Sequence, residues 1–164
     1  MHTSYFNNMP STARAWVYMA DKEFNESEIA AIKDMSIAFI DSWTSHGAKM
    51  KAELEVIYNR FIVLLLDETA AGASGCGIDK SVAFMKQLEG KFHVNLFNRM
   101  LVAYKTADEQ IKIINFNNLA ELSDAADFSA IQVFNNAITT KQEFEKSWLL
   151  PIDQSWVKEY VVHA

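Results

Sequence analysis

An α+β domain with a mainly antiparallel sheet is the fold class predicted by three features of the 164-residue sequence. Phe61 to Leu66 (FIVLLL) is apolar without interruption, which a strand buried on both faces requires. Helical spacing of apolar residues sets in twice, after Asn25 and again from Ile78. Short β-branched and aromatic runs precede and follow both helical stretches, so strands and helices interleave.

Residues 1–12 are polar, contain Pro10 and read as a flexible lead-in; residues 13–164 read as a single domain. Arg14 to Ala20 (RAWVYMA) is the first expected strand, and Asp21 to Asn25 turns into a helix. Asn25 and Glu28 form a capping-box pair, and Phe24 with Ile29 can close a hydrophobic staple. Ile29, Ile32, Phe39, Ile40 and Trp43 make the buried face, and Gly47 is the expected stop. Lys51 to Tyr58 alternates charged and apolar residues, the period of a strand with one wet face, and Asn59-Arg60 can turn it into Phe61 to Leu66.

The apolar strand exits through Asp67 and Glu68 into Ala70 to Gly77, which holds three of the five glycines and the lone cysteine. Small residues there permit tight turns, and a helix is expected where the glycines stop. Ile78, Val82, Met85, Leu88 and Phe92 share one face of that helix, with Asp79 and Ser81 placed to cap it. Met100 to Lys105 and Gln110 to Phe116 are the next strands. Strand, helix, strand, strand, helix, strand is the order of a ferredoxin-like βαββαβ core, here extended by extra C-terminal strands and short helices. In the last third, Leu119 to Leu122 reads as a helical turn and Ala130 to Thr139 as a strand. Thr140 with Glu143 caps a helix running to about Leu149, which Pro151 breaks, and Trp148, Trp156 and Tyr160 are expected to seal a core or sheet face.

A net charge of −6 without a basic run argues against a grip on nucleic acid. One cysteine excludes an internal disulfide, and the N-terminal stretch has neither the basic nor the long apolar segment of a secretion or membrane signal. The expected location is cytoplasmic.

The glycine-rich loop is the expected site, with Gly72, Ser74, Gly75, Cys76, Gly77 and Asp79 as candidate ligand-binding residues for a small anionic ligand held by loop amides. Gly72 and Gly77 have the glycine spacing of a phosphate loop, followed by Lys80-Ser81. Ile78 and Asp79 intrude before the lysine and swing it roughly 200° around the helix, away from the loop's concave side. Cys76 is the candidate catalytic residue, since a sulfur beside a helix start is reachable and its thiolate is favoured there. Asp79 opposes that field, and the candidate bases His46 and His93 are expected at the opposite ends of their helices from the Cys76 loop, or at a register the sequence does not give. Asp67 and Glu68 point to opposite faces of a strand, so at most one of them addresses a given pocket. Asn135-Asn136 can offer side-chain amides or bridge backbone at a bulge. No HExxH, CxxC or paired histidine gives metal spacing, so no metal site and no cofactor are expected.

AWVYMA, YNRFIVLLLDETAAGASGCGIDKSV, VFNN and the closing SW resemble the small uncharacterised proteins of Bacteroidetes often labelled "ABC transporter ATPase". The most specific part is AGASGCGIDKSV, residues 71–82. The resemblance implies a bacterial cytosolic protein and hands over no catalytic residue. Against the label, the chain has no LSGGQ-like signature and no intact phosphate loop. Two function classes therefore stand open. The favoured one is a noncatalytic ligand-binding or protein-interaction module, with self-association allowed. The alternative is a small enzyme or redox sensor using loop 72–79 with Cys76, and nucleotide binding, as the family label suggests, ranks below both.

Overall fold

The computed structural model describes residues 4–69, 72 and 75–161. In chain order the elements are β1 (Arg14–Met19), α1 (Glu26–Ser42), β2 (Thr44–Ser45), β3 (Ala48–Lys49), β4 (Lys51–Ile57), β5 (Phe61–Asp67), α2 (Gly75–Phe92), β6 (Leu101–Lys105) and β7 (Ile111–Asn115). After 3-10 turns at Phe116–Asp124 and Phe128–Ala130 come β8 (Gln132–Phe134), α3 (Lys141–Ser147), β9 (Leu149–Pro151), a 3-10 turn at Ile152–Gln154 and α4 (Lys158–Val161). The fold is α+β, and every pairing between these strands is antiparallel.

β5 is the centre of a sheet of order β1-β5-β4, and every side chain from Phe61 to Leu66 has 0% exposure. Ile62, Leu64 and Leu66 pack into a core with Ile32 of α1 and with Phe84, Met85 and Leu88 of α2, so both helices cover the same face. Phe61, Val63 and Leu65 pack the other way, against Ala103, Phe134 and Trp148 of the second half of the chain. The period of two in a strand turns one apolar run into two interfaces.

β6 does not join this sheet. It lies inside a second one of order β7-β6-β8-β9, while the outer edge of β1 is occupied by Thr139 and Lys141: the Ala15 amide donates to the Thr139 carbonyl at 2.9 Å and the Lys141 amide to Ala13 at 2.8 Å. The expected sixth element of the ferredoxin-like order thus founds another layer. Its residues explain why: Leu101 and Ala103 face the first sheet, whereas Val102 and Tyr104 face a third core with Leu119, Leu122, Ile152, Val157 and Val161. A strand apolar on both faces suits the interior of a covered sheet.

The capping box at Asn25 forms as the sequence predicts, with Glu28 N–H donating to Asn25 Oδ1 at 2.8 Å and Asn25 N–H to Glu28 Oε1 at 3.0 Å. The far end differs. α1 stops at Ser42, because Trp43 turns into extended backbone and buries its indole; Gly47 (φ +81°) instead shares with His46 (φ +53°) the turn of a small hairpin, β2-β3. Two consecutive positive-φ residues give the twist that a two-residue hairpin needs. The lead-in is also packed: Phe6 and Met9 are buried in the second core, and Lys141 Nζ donates to the Met9 carbonyl at 2.7 Å. In the last third, only Gln132–Phe134 of the expected 130–139 strand pairs, and Pro151 ends a short edge strand at the rim of the sheet, a place where its missing N–H costs no ladder bond.

Leu64→Ala should cost about 2–5 kcal/mol by leaving a cavity between the helices and β5. Ile37→Ser, at a side chain 62% exposed on α1, should stay within about 0.5 kcal/mol. Urea denaturation of the two variants checks the pair; equal losses would contradict the assignment of β5 to the centre.

Candidate functional site

The C-terminal end of β5, the start of α2 and the β2-β3 hairpin meet at one end of the helix-covered sheet. Asp67 closes β5 as a buried carboxylate opposite Lys51 in the β4 register. Its Oδ1 accepts the Thr69 amide at 3.0 Å and the Thr69 hydroxyl at 2.6 Å, and Lys51 Nζ lies 3.5 Å from Oδ2. The two Thr69 hydrogen bonds, then Lys51, hold the Asp67 carboxyl below its usual value. Asp67 is consequently a fixed turn-former, and Glu68 points elsewhere, to Arg14 at 3.5 Å. This is the division of labour that adjacent strand residues impose.

Of the candidate loop residues, Ser74 lies outside the described residues and Gly72 is exposed with open space around it. The helix starts earlier than expected, at Gly75, so Gly75, Cys76 and Gly77 form its first turn in place of a loop. Neither Gly75 nor Gly77 has a positive φ. Gly75, Cys76 and Asp79 are exposed, whereas Gly77 is buried, with Met50 Cε and Ser45 Cβ each 3.5 Å from where a Cβ would stand. Its carbonyl accepts the Trp43 indole N–H at 2.9 Å. Ser81 is buried and donates to the Ile78 carbonyl at 2.7 Å, and Lys80 Nζ donates to the Thr44 carbonyl at 3.2 Å. Neither side chain is disposed as in a phosphate loop.

His46 is not at the far end from Cys76. The hairpin folds its neighbour Ser45 onto Gly77 and so brings His46 to the same end, while His93 follows α2 at the other. No hydrogen bond joins His46 to Cys76 among the described residues. Asn135 Oδ1 accepts the Ala137 amide at 3.0 Å and Asn136 Oδ1 accepts the Trp148 indole at 3.0 Å, so both side-chain oxygens are engaged by the fold. Trp148 lies in an aromatic cluster with Phe61, Phe134 and Phe144, whereas Trp156 and Tyr160 remain 40% and 48% exposed beside Phe116.

A feature that sequence reasoning missed lies between the helices. α1 and α2 flank an open groove of about 500 Å³ lined by Met35, Ala38, Phe39, Ser42, Trp43, Lys80, Ala83, Phe84 and Gln87. Its floor is a stack of rings, Phe39 on Phe84 at 4.4 Å and 3° and Phe39 on Trp43 at 5.1 Å and 29°. It stays open because its rims carry Ala38, Ser42 and Ala83, whose side chains are too short to meet above the rings. Cys76, Lys80, Ala83 and Gln87 recur at helical spacing along α2, which puts the thiol on the line of the groove wall, about one turn beyond Lys80. The available signal was the pairing of small residues with aromatics at Ala38-Phe39 and Ala83-Phe84.

Among the described residues no group of three His, Cys, Asp or Glu side chains could hold a metal ion, and no helix is long and apolar enough to cross a membrane. Family models, curated proteins and solved structures give no match to this chain.

Two outcomes follow. The lowered Asp67 carboxyl contributes stability that is present above its unfolded value and lost as pH falls through the folded one. Asp67→Asn should therefore lower the melting temperature at pH 7, with the gap to the native protein closing below about pH 4; a gap independent of pH would refute the linkage. Gly47→Ala should destabilise by about 1–2 kcal/mol because φ is +81° there. Gly77→Ala meets ordinary contacts at 3.5 Å and should be neutral or stabilising on thermal denaturation.

Proposed function

We propose that this protein is a noncatalytic binding module whose site is the groove between α1 and α2, working in a bacterial cytosol as the family resemblance implies. The observation that carries the reading is the ring-floored groove itself. Its volume of about 500 Å³ falls in the range of small-molecule sites, roughly 300–1,000 Å³, and a few polar groups stand at its rim over an aromatic floor. Rings stacked on one another are held rigid before any ligand arrives, which lowers the ordering cost of binding.

A second reading, a thiol-based enzyme or redox sensor, draws support from the exposed Cys76 in the first turn of α2. Among the described residues no base stands within hydrogen-bond reach of the thiol, about 2.6–3.2 Å, which thiol catalysis of this kind needs. The binding module is the better supported of the two, and nucleotide binding draws nothing from the way Lys80 and Ser81 are engaged.

A ligand-observed NMR screen of aromatic fragments tests the reading. Hits should be lost in Ala83→Trp, which fills the groove from the α2 rim, while its melting temperature stays within a few degrees, and hits should survive Cys76→Ser. Retention of every hit by Ala83→Trp would remove the groove as the site. Loss of the hits in Cys76→Ser would favour the thiol reading.

A further inference from the structure

We infer that the ligand of the interhelical groove is a small planar apolar acid, with its ring system on Phe39 and Phe84 and its anionic group at Lys80. The inference rests on the groove being the binding site and adds the chemical class of what it takes.

Among the described residues that line the groove, Lys80 is the one that carries a charge. Its ammonium donates to a neutral acceptor, the Thr44 carbonyl at 3.2 Å, and it makes no ion pair among the described residues. By contrast Lys33, Lys49 and Lys51, on the neighbouring elements, each stand within 4 Å of a carboxylate, at 3.7, 3.7 and 3.5 Å. In a chain with a net charge of −6 this leaves an uncompensated cation at the edge of an aromatic surface. The adjacent Asp79 does not neutralise it from the same side, since successive helical residues project about 100° apart.

The hydrogen bond to Thr44 also fixes where the charge lies. Thr44 belongs to the hairpin that closes over the start of α2, so Lys80 marks that end of the groove, beside Ser42 and Trp43. Gln87 stands two turns further along, about 10 Å at 1.5 Å per residue. Between them lie Phe39 and Phe84, stacked on each other at 4.4 Å and 3°, so that each covers one face of the other and the stack turns ring edges to the groove. A cation at one end, an amide at the other and ring edges between, on which a planar body lies edge-to-face, match a biaryl or bicyclic body with one acidic group.

Two dyes of nearly equal shape separate charge from apolar contact: 1-anilinonaphthalene-8-sulfonate, an aromatic sulfonate, and its neutral relative N-phenyl-1-naphthylamine. Fluorescence titration of the intact chain should give one site for the sulfonate. Lys80→Gln should weaken it about three- to fivefold, the scale of one partly exposed charge pair. Lys80→Arg should restore it, the neutral dye should be indifferent to both changes, and Ala83→Trp should abolish binding of either dye. Far-UV circular dichroism and melting temperature of each variant must match the native protein, so that dye binding reports a folded groove. Equal binding of the two dyes, unaffected by Lys80→Gln, would overturn the acid assignment while leaving the groove as a site. No binding of either dye, together with no fragment sensitive to Ala83→Trp, would fail the groove itself. Sulfonate binding that falls as protein concentration rises would assign the groove to a second copy of the chain and overturn the proposal.

Discussion

One constraint governs the architecture: β5 is apolar on both faces and must be covered on both. Six consecutive side chains, Phe61 to Leu66, are removed completely from water, each worth about 1.5–3 kcal/mol. A single helical layer satisfies only Ile62, Leu64 and Leu66. The odd-numbered partners require a second apolar layer, and the chain supplies it as a whole further sheet. That sheet is then apolar on its own outer face and must be covered again, by the 3-10 turns and α4. Each layer in the stack is thus a consequence of the one before it, and the chain's later elements are committed to burial before they can serve a site.

The helix-covered face is left to carry the groove, and its shape depends on one buried hydrogen bond. The Trp43 indole donates to the Gly77 carbonyl at 2.9 Å, which ties the exit of α1 to the first turn of α2. A buried indole N–H without an acceptor would be costly, so Trp43 leaves the helix to reach one. Met50 and Ser45 pack over Gly77 at a distance that leaves ordinary contact room for a Cβ, so the hairpin closes against the helix start without straining it. Further along, the Phe39–Phe84 stack sets the spacing between the helices. With separation fixed at both places and only alanine and serine at the rims, a gap above the rings is unavoidable.

What was legible in the sequence was what is encoded locally. The alternation from Lys51, the double-sided run after it and the capping box at Asn25 each state their structure within a few residues, and they hold except that the first strand ends at Ile57 and Tyr58, at φ +52°, opens the turn. The misread features were decided at long range. Gly47 looks like a helix stop until the indole of Trp43 claims Gly77, thirty-four residues on. Gly75 and Gly77 look like a loop because glycine disfavours helices, a cost of about 1 kcal/mol that tertiary contacts override. The edge of β1 that β6 would take is occupied by Thr139 and Lys141, more than a hundred residues away in sequence. The candidate site divides in the same way. The loop's address was readable from its glycines, while the groove exists only where α1 and α2 are juxtaposed.

That juxtaposition also changes what Cys76 can be. As a loop residue it had neighbours on several sides; as the second residue of α2 it is one member of a helical stripe that continues through Lys80, Ala83 and Gln87. The hairpin that brings His46 to the same end is fastened by the contact of Ser45 with Gly77 and by the Met50 amide on the Trp43 carbonyl at 2.9 Å. Imidazole and thiol therefore sit on elements held fixed relative to each other, without the hydrogen bond that would make them a nucleophile and its base. The sulfur stands exposed about one turn before Lys80, outside the described residues that line the groove, and so belongs to the helix start and not to the ring-floored gap.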